Sequence, residues 1–478
     1  MSYADIQNLD NAYDADYGND PTKYDYFGYN KNEFEDWMVM ANLEVRTGDR
    51  STLNVKPYYW SDKGYYLESI TGNKVRRWEI DHDLKGILAE YKTALGPVDL
   101  DFGYLYHTQE RPGPPSSWKT CTVSGSQLVF SGWSILSNSS SHELHEPFIE
   151  AKYRTGDWLF SGGVKYVNYT LPSILTYSST GIGDLSHDDA LATDPAIIAD
   201  KSAIATKTFS RLFPDVTITR TIDEHTSVYL AYGENYVTHV DIYPYFISQY
   251  ATFSAHHISF QQLWDERKME LSRNFELGLK MKGGDWSIAP TLYYSLHNNK
   301  QAILQDPDFG ISYPMNNADA KGYGFELEGE YKPAKALKCY GSFSWNRFFF
   351  NGNIRSESGS LIDVKGRQVP DAPEFLAKGM VSWTTGDLTI SPIARYTSVR
   401  YGDVLHKQKV DGATLCDLDL TWSRAMLGFK SVDCSLTFMN LFDKKYVSLI
   451  STSDYKTLNS TFQPGAPFTV MASIAVHY

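Results

Sequence analysis

The sequence predicts an all-β fold: a transmembrane antiparallel β-barrel with short turns at one end and long loops at the other. Three observations carry this reading. Apolar and polar residues alternate with period two through most of the chain. Short turns and long loops follow one another in a hairpin rhythm. Several strand faces carry charges that have to stand in water.

The last strand shows the alternation most simply. Phe468, Val470, Ala472, Ile474, Val476 and Tyr478 share one face, against Thr469, Met471, Ser473, Ala475 and His477. That is a strand with one greasy face. A soluble sandwich would turn the face inward, whereas a membrane barrel would turn it to lipid with the last aromatic at the interface.

Composition narrows the choice. The chain has 478 residues and a net charge of −13, which argues against nucleic-acid partners. Mean hydropathy is −0.37, and no apolar run is long enough for a membrane-spanning helix. A barrel escapes that test because alternation averages out. Aromatic residues make up 14 % of the chain, a share that two aromatic girdles would explain. Cys121, Cys339, Cys416 and Cys434 show no paired-ligand spacing, so no metal site is expected, and three of them fit apolar strand faces as small hydrophobes.

Along the chain, residues 1–32 are polar, lack a sustained period and read as an external loop segment; residues 33–478 read as the barrel. Trp37, Val39, Ala41, Leu43 and Val45 form the first outward face. The turn Thr47-Gly48-Asp49-Arg50 returns the chain to a strand carrying Leu53, Val55, Pro57 and Tyr59. Further turns fall at Leu95-Gly96-Pro97, Thr155-Gly156-Asp157, Ile222-Asp223-Glu224, Gly283-Gly284-Asp285, Lys332-Pro333, Gly386-Asp387 and Met426-Leu427-Gly428. Long loops are expected at 111–141, 171–204 and 237–268, and the rhythm amounts to roughly 17 strands. Glu326, Glu328 and Glu330 share one face, opposite Tyr323, Phe325, Leu327 and Tyr331. Burying even one unpaired charge is costly. The polar faces must therefore share a wet interior, and a closed cylinder in lipid leaves no unpaired edge.

From here a resemblance enters. Gly322-Tyr323-Gly324-Phe325-Glu326-Leu327-Glu328 after Asn317-Ala318-Asp319-Ala320, Val369-Pro370-Asp371-Ala372-Pro373, Asn440-Leu441-Phe442-Asp443-Lys444-Lys445-Tyr446, and Pro464-Gly465-Ala466-Pro467 together resemble the TonB-dependent outer-membrane receptors. The resemblance implies a roughly 22-stranded barrel with a plug in its lumen, short periplasmic turns and long extracellular loops. It implies uptake of a scarce nutrient complex across the outer membrane of a Gram-negative bacterium, a ferric siderophore by default, with another metal chelate or cobalamin open. It also implies a TonB-type energising complex acting through the plug, outer-membrane lipid around the barrel, and a barrel-assembly machinery that reads Phe468, Val470, Ile474, Val476 and Tyr478. No plug segment is visible in the sequence, and MSYADIQNLD shows none of the marks of a signal peptide. The expectation is therefore an N-terminally truncated barrel; a wrongly started reading frame or a chain that is not exported are the other readings. A passive porin-like channel, a barrel enzyme and a soluble all-β binding protein are the rival functions.

Candidate chemistry is sparse. His142-Glu143-Leu144-His145-Glu146 lacks the second His of a zinc-protease helix, and Asp184, Asp188 and Asp189 lack a calcium-loop spacing. No catalytic residue and no cofactor are expected. Loop residues His239, Tyr243, Tyr245, Phe246, Tyr250, His256 and His257 suit the grip of a flat, partly apolar chelate; packing of loop on loop is the alternative. Arg347 and Arg395 suit an anionic complex, or else the balancing of interior carboxylates such as Asp417, Asp419 and Glu326.

Overall fold

The computed structural model describes residues 1–13, 18–70, 72–110, 117–201, 204–237, 242–356, 358–426, 428–454 and 459–477. His239 and Tyr478 lie outside the described residues. Among these, one antiparallel sheet of twenty-one strands dominates. Three of them, Trp118–Ser124, Gln127–Ser139 and Ile174–Tyr177, extend the sheet beyond one end of the wall. Two others, Asn32–Met40 and Leu43–Gly48, are halves of one strand in a single register against Ser51–Ile70. Seventeen strands therefore build the wall, as the hairpin rhythm predicts.

Short turns connect the wall strands at one end, for example Leu95 to Val98, Thr155 to Trp158 and Thr385 to Leu388; at the other end one connection, Ile70 to Lys74, is also short. Gly96, Gly156 and Gly386 take φ of 60°, 53° and 59° there, a backbone that costs glycine nothing. One turn departs from expectation. Strand Ser312–Ala334 runs past Lys332-Pro333, and its pairing with Leu337–Phe350 breaks between Tyr331 and Ala334. Proline donates no ladder bond, so it marks an irregular strand end instead of the turn itself. The loops at the opposite end separate Glu110 from His142, Leu171 from Lys207, and Val237 from Glu270.

Register shows which side chains share a face. Starting at Val98, each residue pairs directly with the next in the row Tyr153, Phe160, Ile218, Leu230, Leu277, Leu292, Phe325, Trp345 and Phe375. Ten strands are crossed without one charged side chain. One residue away, the row Asp99, Lys152, Ser161, Thr217, Ala231, Glu276, Tyr293, Gly324, Asn346 lies on the other face. There the Tyr293 hydroxyl donates to Asn346 Oδ1 at 2.7 Å. The apolar row is open to its surroundings, with Leu230 and Leu292 55 % and 54 % exposed. Water does not tolerate such a continuous belt, but lipid does. Trp158, Trp286, Tyr331, Trp383 and Trp422 border the belt toward the short turns, and Tyr232, Tyr294, Tyr323, Tyr396 and Phe468 border it toward the loops. These are the two girdles that the composition calls for.

The main buried hydrophobic cluster lies at the loop end, and Leu418, Leu420 and Trp422 are not in it. Among the described residues the wall has two free edges, since Asn32–Met40 pairs only with Ser51–Ile70 and Thr469–His477 only with Ser431–Met439. Both edge strands run from the loop end toward the turn end. They are parallel to each other, so an antiparallel wall cannot close by joining them. Residues 1–13 hold helices Tyr3–Gln7 and Leu9–Ala12 and dock on the last external loop, where Met1 and Phe462 exchange two backbone bonds of 2.9 Å. Residues 18–31 dock on the opposite bank, where Asn30 and Ser69 exchange bonds of 2.7 and 3.0 Å.

Candidate functional site: the loop cap over a polar lumen

Between Val237 and Glu270 the chain forms three short helices, Tyr243–Ser248, Tyr250–Ala255 and Phe260–Asp265. Pro244 opens the first, where a missing N–H costs nothing, and the Ser259 side chain caps the last by accepting from Gln262 N. Each helix is too short to stand alone, so tertiary packing holds them. Phe246 stacks on Phe260 with ring centroids 4.9 Å apart, and Phe253 meets Tyr313 at 5.3 Å. Tyr243, Phe246 and Phe253 are fully buried, and the Tyr243 hydroxyl lies 2.8 Å from Thr176 Oγ1.

The expected ligand-gripping loop therefore divides. Tyr243 and Phe246 are core residues that present no face to a ligand. Tyr245 is half-buried against the same cluster. Tyr250 is half-buried and donates its hydroxyl to Asp200, a bond that pushes the phenol above its ordinary range. His256 stacks on Phe309 at 4.1 Å, and His257 is exposed with φ of 59°. The two arginines divide as well. Arg395 faces the lumen and closes on Asp417 at 2.7 Å. Arg347 pairs in register with Tyr323 on the lipid-facing side, 3.8 Å from Glu374; it does not point into the lumen. The parity was legible, because Trp345, Arg347 and Phe349 alternate with Ser344, Asn346 and Phe348.

Three polar knots hold the cap, and sequence reading does not single out what they do. Asp306, fully buried, accepts from the amides of Asp308, Phe309 and Ser358 and from the Tyr313 hydroxyl, all at 3.0 to 3.2 Å. Burial alone would raise its carboxyl, but these donors outweigh it and hold it below the usual carboxylate range. Arg400 donates to Asp371 Oδ1 at 2.8 Å and to the carbonyls of Val447 and Ser448, joining two loops. Burial still leaves Asp371 above its ordinary range. Asn440, at φ of 50°, donates to the carbonyls of Lys444 and Ala466 at 3.0 and 2.9 Å, while its amide reaches Asp417 at 2.9 Å. That accounts physically for an Asn at the head of the Asn440–Tyr446 run.

Beside the helices lies a recess of about 320 Å³ lined by Ile242, Leu263, Glu266, Arg267, Lys268, Met315 and Asn316. Below the cap the lumen wall carries ion pairs, among them Lys56–Glu90 at 2.9 Å and Lys338–Glu330 at 2.6 Å. No group of three or more potential metal ligands occurs among the described residues. An apolar outer face, a charged inner face and folded loops at one end are together the arrangement of a membrane β-barrel wall.

Comparison with known proteins agrees. Residues 2–441 match the family described as TonB dependent receptor-like, beta-barrel; the chain belongs to that family. Its fold is similar to that of the ferric citrate transporter FecA in the unliganded form (TM-score 0.66, 14 % identity, 93 % of this chain and 61 % of that one). It is similar also to the ferric yersiniabactin uptake receptor FyuA from Yersinia pestis (TM-score 0.62, 15 % identity, 91 % and 60 %). The copper transporter OprC is a further likeness (TM-score 0.62, 14 % identity, 91 % and 64 %). The chain spans about three-fifths of the length of these proteins. No curated protein matches the sequence.

Proposed function

We propose that this chain is the barrel part of an outer-membrane receptor for active, TonB-dependent uptake of a scarce nutrient complex in a Gram-negative bacterium. A ferric siderophore is the foremost cargo, with another metal chelate or cobalamin as the alternatives. The observation that carries the reading is the reversed wall, charged within and apolar without, closed over at one mouth by a folded cap. The family's role supports the rest. Exposed His256 and His257, with the rim of Tyr250 and the recess beside Arg267 and Lys268, make first contact with the chelate. The buried Tyr243 and Phe246 hold those residues in place.

In the whole receptor, a plug contacted by the energising complex fills the lumen. Further strands close the wall, and their number is odd because the two free edges run the same way. Phe468, Val470, Ile474 and Val476, on the outward face of the last strand, serve the assembly machinery. The test is uptake of radiolabelled ferric siderophores by cells making the whole receptor. Uptake that vanishes when the energising complex is deleted is expected. Uptake that persists in its absence contradicts active transport and favours a passive channel.

A further inference from the structure

Two histidines on the inner wall take no part in anything described above. His107 and His142 lie on the neighbouring strands Val98–Glu110 and His142–Thr155, whose register pairs His107 with Leu144 and Gln109 with His142. Both share the parity of the lumen face, and as diagonal neighbours their side chains are within reach of each other. Their ring centroids are 6.1 Å apart, with planes at 68°. His107 Nδ1 lies 2.8 Å from the Tyr58 hydroxyl, which leaves its Nε2 for another partner. The His142 ring packs edge-on against Tyr169 at 4.4 Å, and its Nε2 is buried with no hydrogen-bond partner among the described residues. A buried polar atom left unsatisfied in a native fold calls for an explanation.

We propose that His107 and His142 form a two-nitrogen site for a late first-row transition-metal ion, with Cu²⁺ held most tightly. Neutral imidazole is a ligand for copper, nickel and zinc, and the affinity of such donors peaks at Cu²⁺. Two rings sharing one ion through bonds of about 2.0 Å have centroids up to roughly 6.3 Å apart. The observed separation lies just inside that limit, which the rings reach with the ion between them and the two Nε2 atoms on nearly opposite sides of it. Tyr58 acts as a positioning residue: its bond to Nδ1 fixes the ring so that Nε2 is the ligating atom. Since no third ligand completes a cage among the described residues, the remaining positions go to water or to groups the ion arrives with. An open site of this kind holds a passing ion and does not staple the fold. Binding at this site does not require the uptake reading, so it can be tested separately.

The experiment titrates CuCl₂ into the full chain in lipid nanodiscs. Electron paramagnetic resonance counts the coordinating nitrogens, and ascorbate-driven oxidation followed by mass spectrometry marks the histidines that hold copper. Expected are one tight Cu²⁺ with two imidazole nitrogens, oxidation centred on His107 and His142, and at least tenfold weaker binding in His107→Gln and in His142→Gln. His225, exposed in a short turn, serves as the unoxidised control. Absence of tight Cu²⁺ binding overturns the assignment. So does a two-nitrogen signal that survives in the double variant, or oxidation confined to other histidines. The oxidation map on the unmodified chain decides the matter even if a variant fails to fold.

Discussion

The wall and the cap obey opposite burial rules within one chain. In the wall, Leu292, Phe325 and Trp345 face outward while Glu276, Tyr293 and Asn346 face a wet interior. In the cap, Phe246, Phe253 and Tyr313 are buried at the centre as in an ordinary globule. Lipid outside and backbone ladders hold the first; hydrophobic packing and a few polar knots hold the second. The same substitution should therefore act differently in the two regions, which makes the contrast testable.

The largest effect is expected in the cap. Phe253→Ala removes a fully buried ring, and such truncations cost about 3–5 kcal/mol. Hydrogen exchange should accelerate across residues 243–265 while the wall strands keep their protection. If the wall unfolds together with the cap, the two regions are not separate in the sense argued above. Next comes the lipid face. Leu279→Arg or Leu420→Arg should cost about 2–4 kcal/mol near the bilayer midplane, measured as the folded fraction in vesicles. Thr421→Lys, one residue away on the lumen side, should fold normally, and equal losses at Leu420 and Thr421 would erase the distinction between faces.

Smaller effects sharpen the picture. Asp306→Ala removes the buried carboxylate that accepts from the amides of Asp308, Phe309 and Ser358, at about 1–3 kcal/mol, seen as faster exchange in the loops that hold Asp306 and Ser358. The sign with pH follows from the lowered carboxyl. Its stabilisation is present above the unfolded value of about 3.9 and fades as pH falls through the lower folded value. Loop protection in the unaltered chain should drop in that acid range, whereas the variant's should not change there. Gly324→Ala tests the inner wall, because a Cβ there would lie 2.2 Å from the Trp345 carbonyl oxygen and 2.5 Å from the Tyr293 hydroxyl. Overpacking of this kind costs about 1–3 kcal/mol. Gly284→Ala, with nothing within 4 Å of the new atom, should have no effect on the midpoint of unfolding.

The contrast also explains what could be read from the sequence. The wall was legible because period two is local: each strand announces its own faces, and Gly-Asp turns mark where the chain reverses. Even there, Pro333 misplaced one turn, which falls at Lys335-Ala336, because an irregular strand end and a turn draw on the same residue types. The cap was not legible. Its helices are six residues each, too short to show a helical period, and their stability comes from rings far away in sequence. Tyr243 and His257 look alike as loop aromatics, yet only one of them is buried. The docking of residues 1–13 on Phe462, and the knots at Asp306 and Arg400, join segments that no local pattern links.

The central claim is that water fills the interior of the wall and lipid surrounds it, and the chain's own cysteines test it directly. Cys339, Cys416 and Cys434 pair with Tyr331, Ala394 and Trp422 on the outward face, whereas Ser344 lies opposite Glu326 on the inward one. In lipid vesicles, a charged, membrane-impermeant maleimide should leave the three native thiols unmodified and label the thiol of a Ser344→Cys variant. Labelling of Cys416 and Cys434 with protection of the new thiol at position 344 would contradict the account.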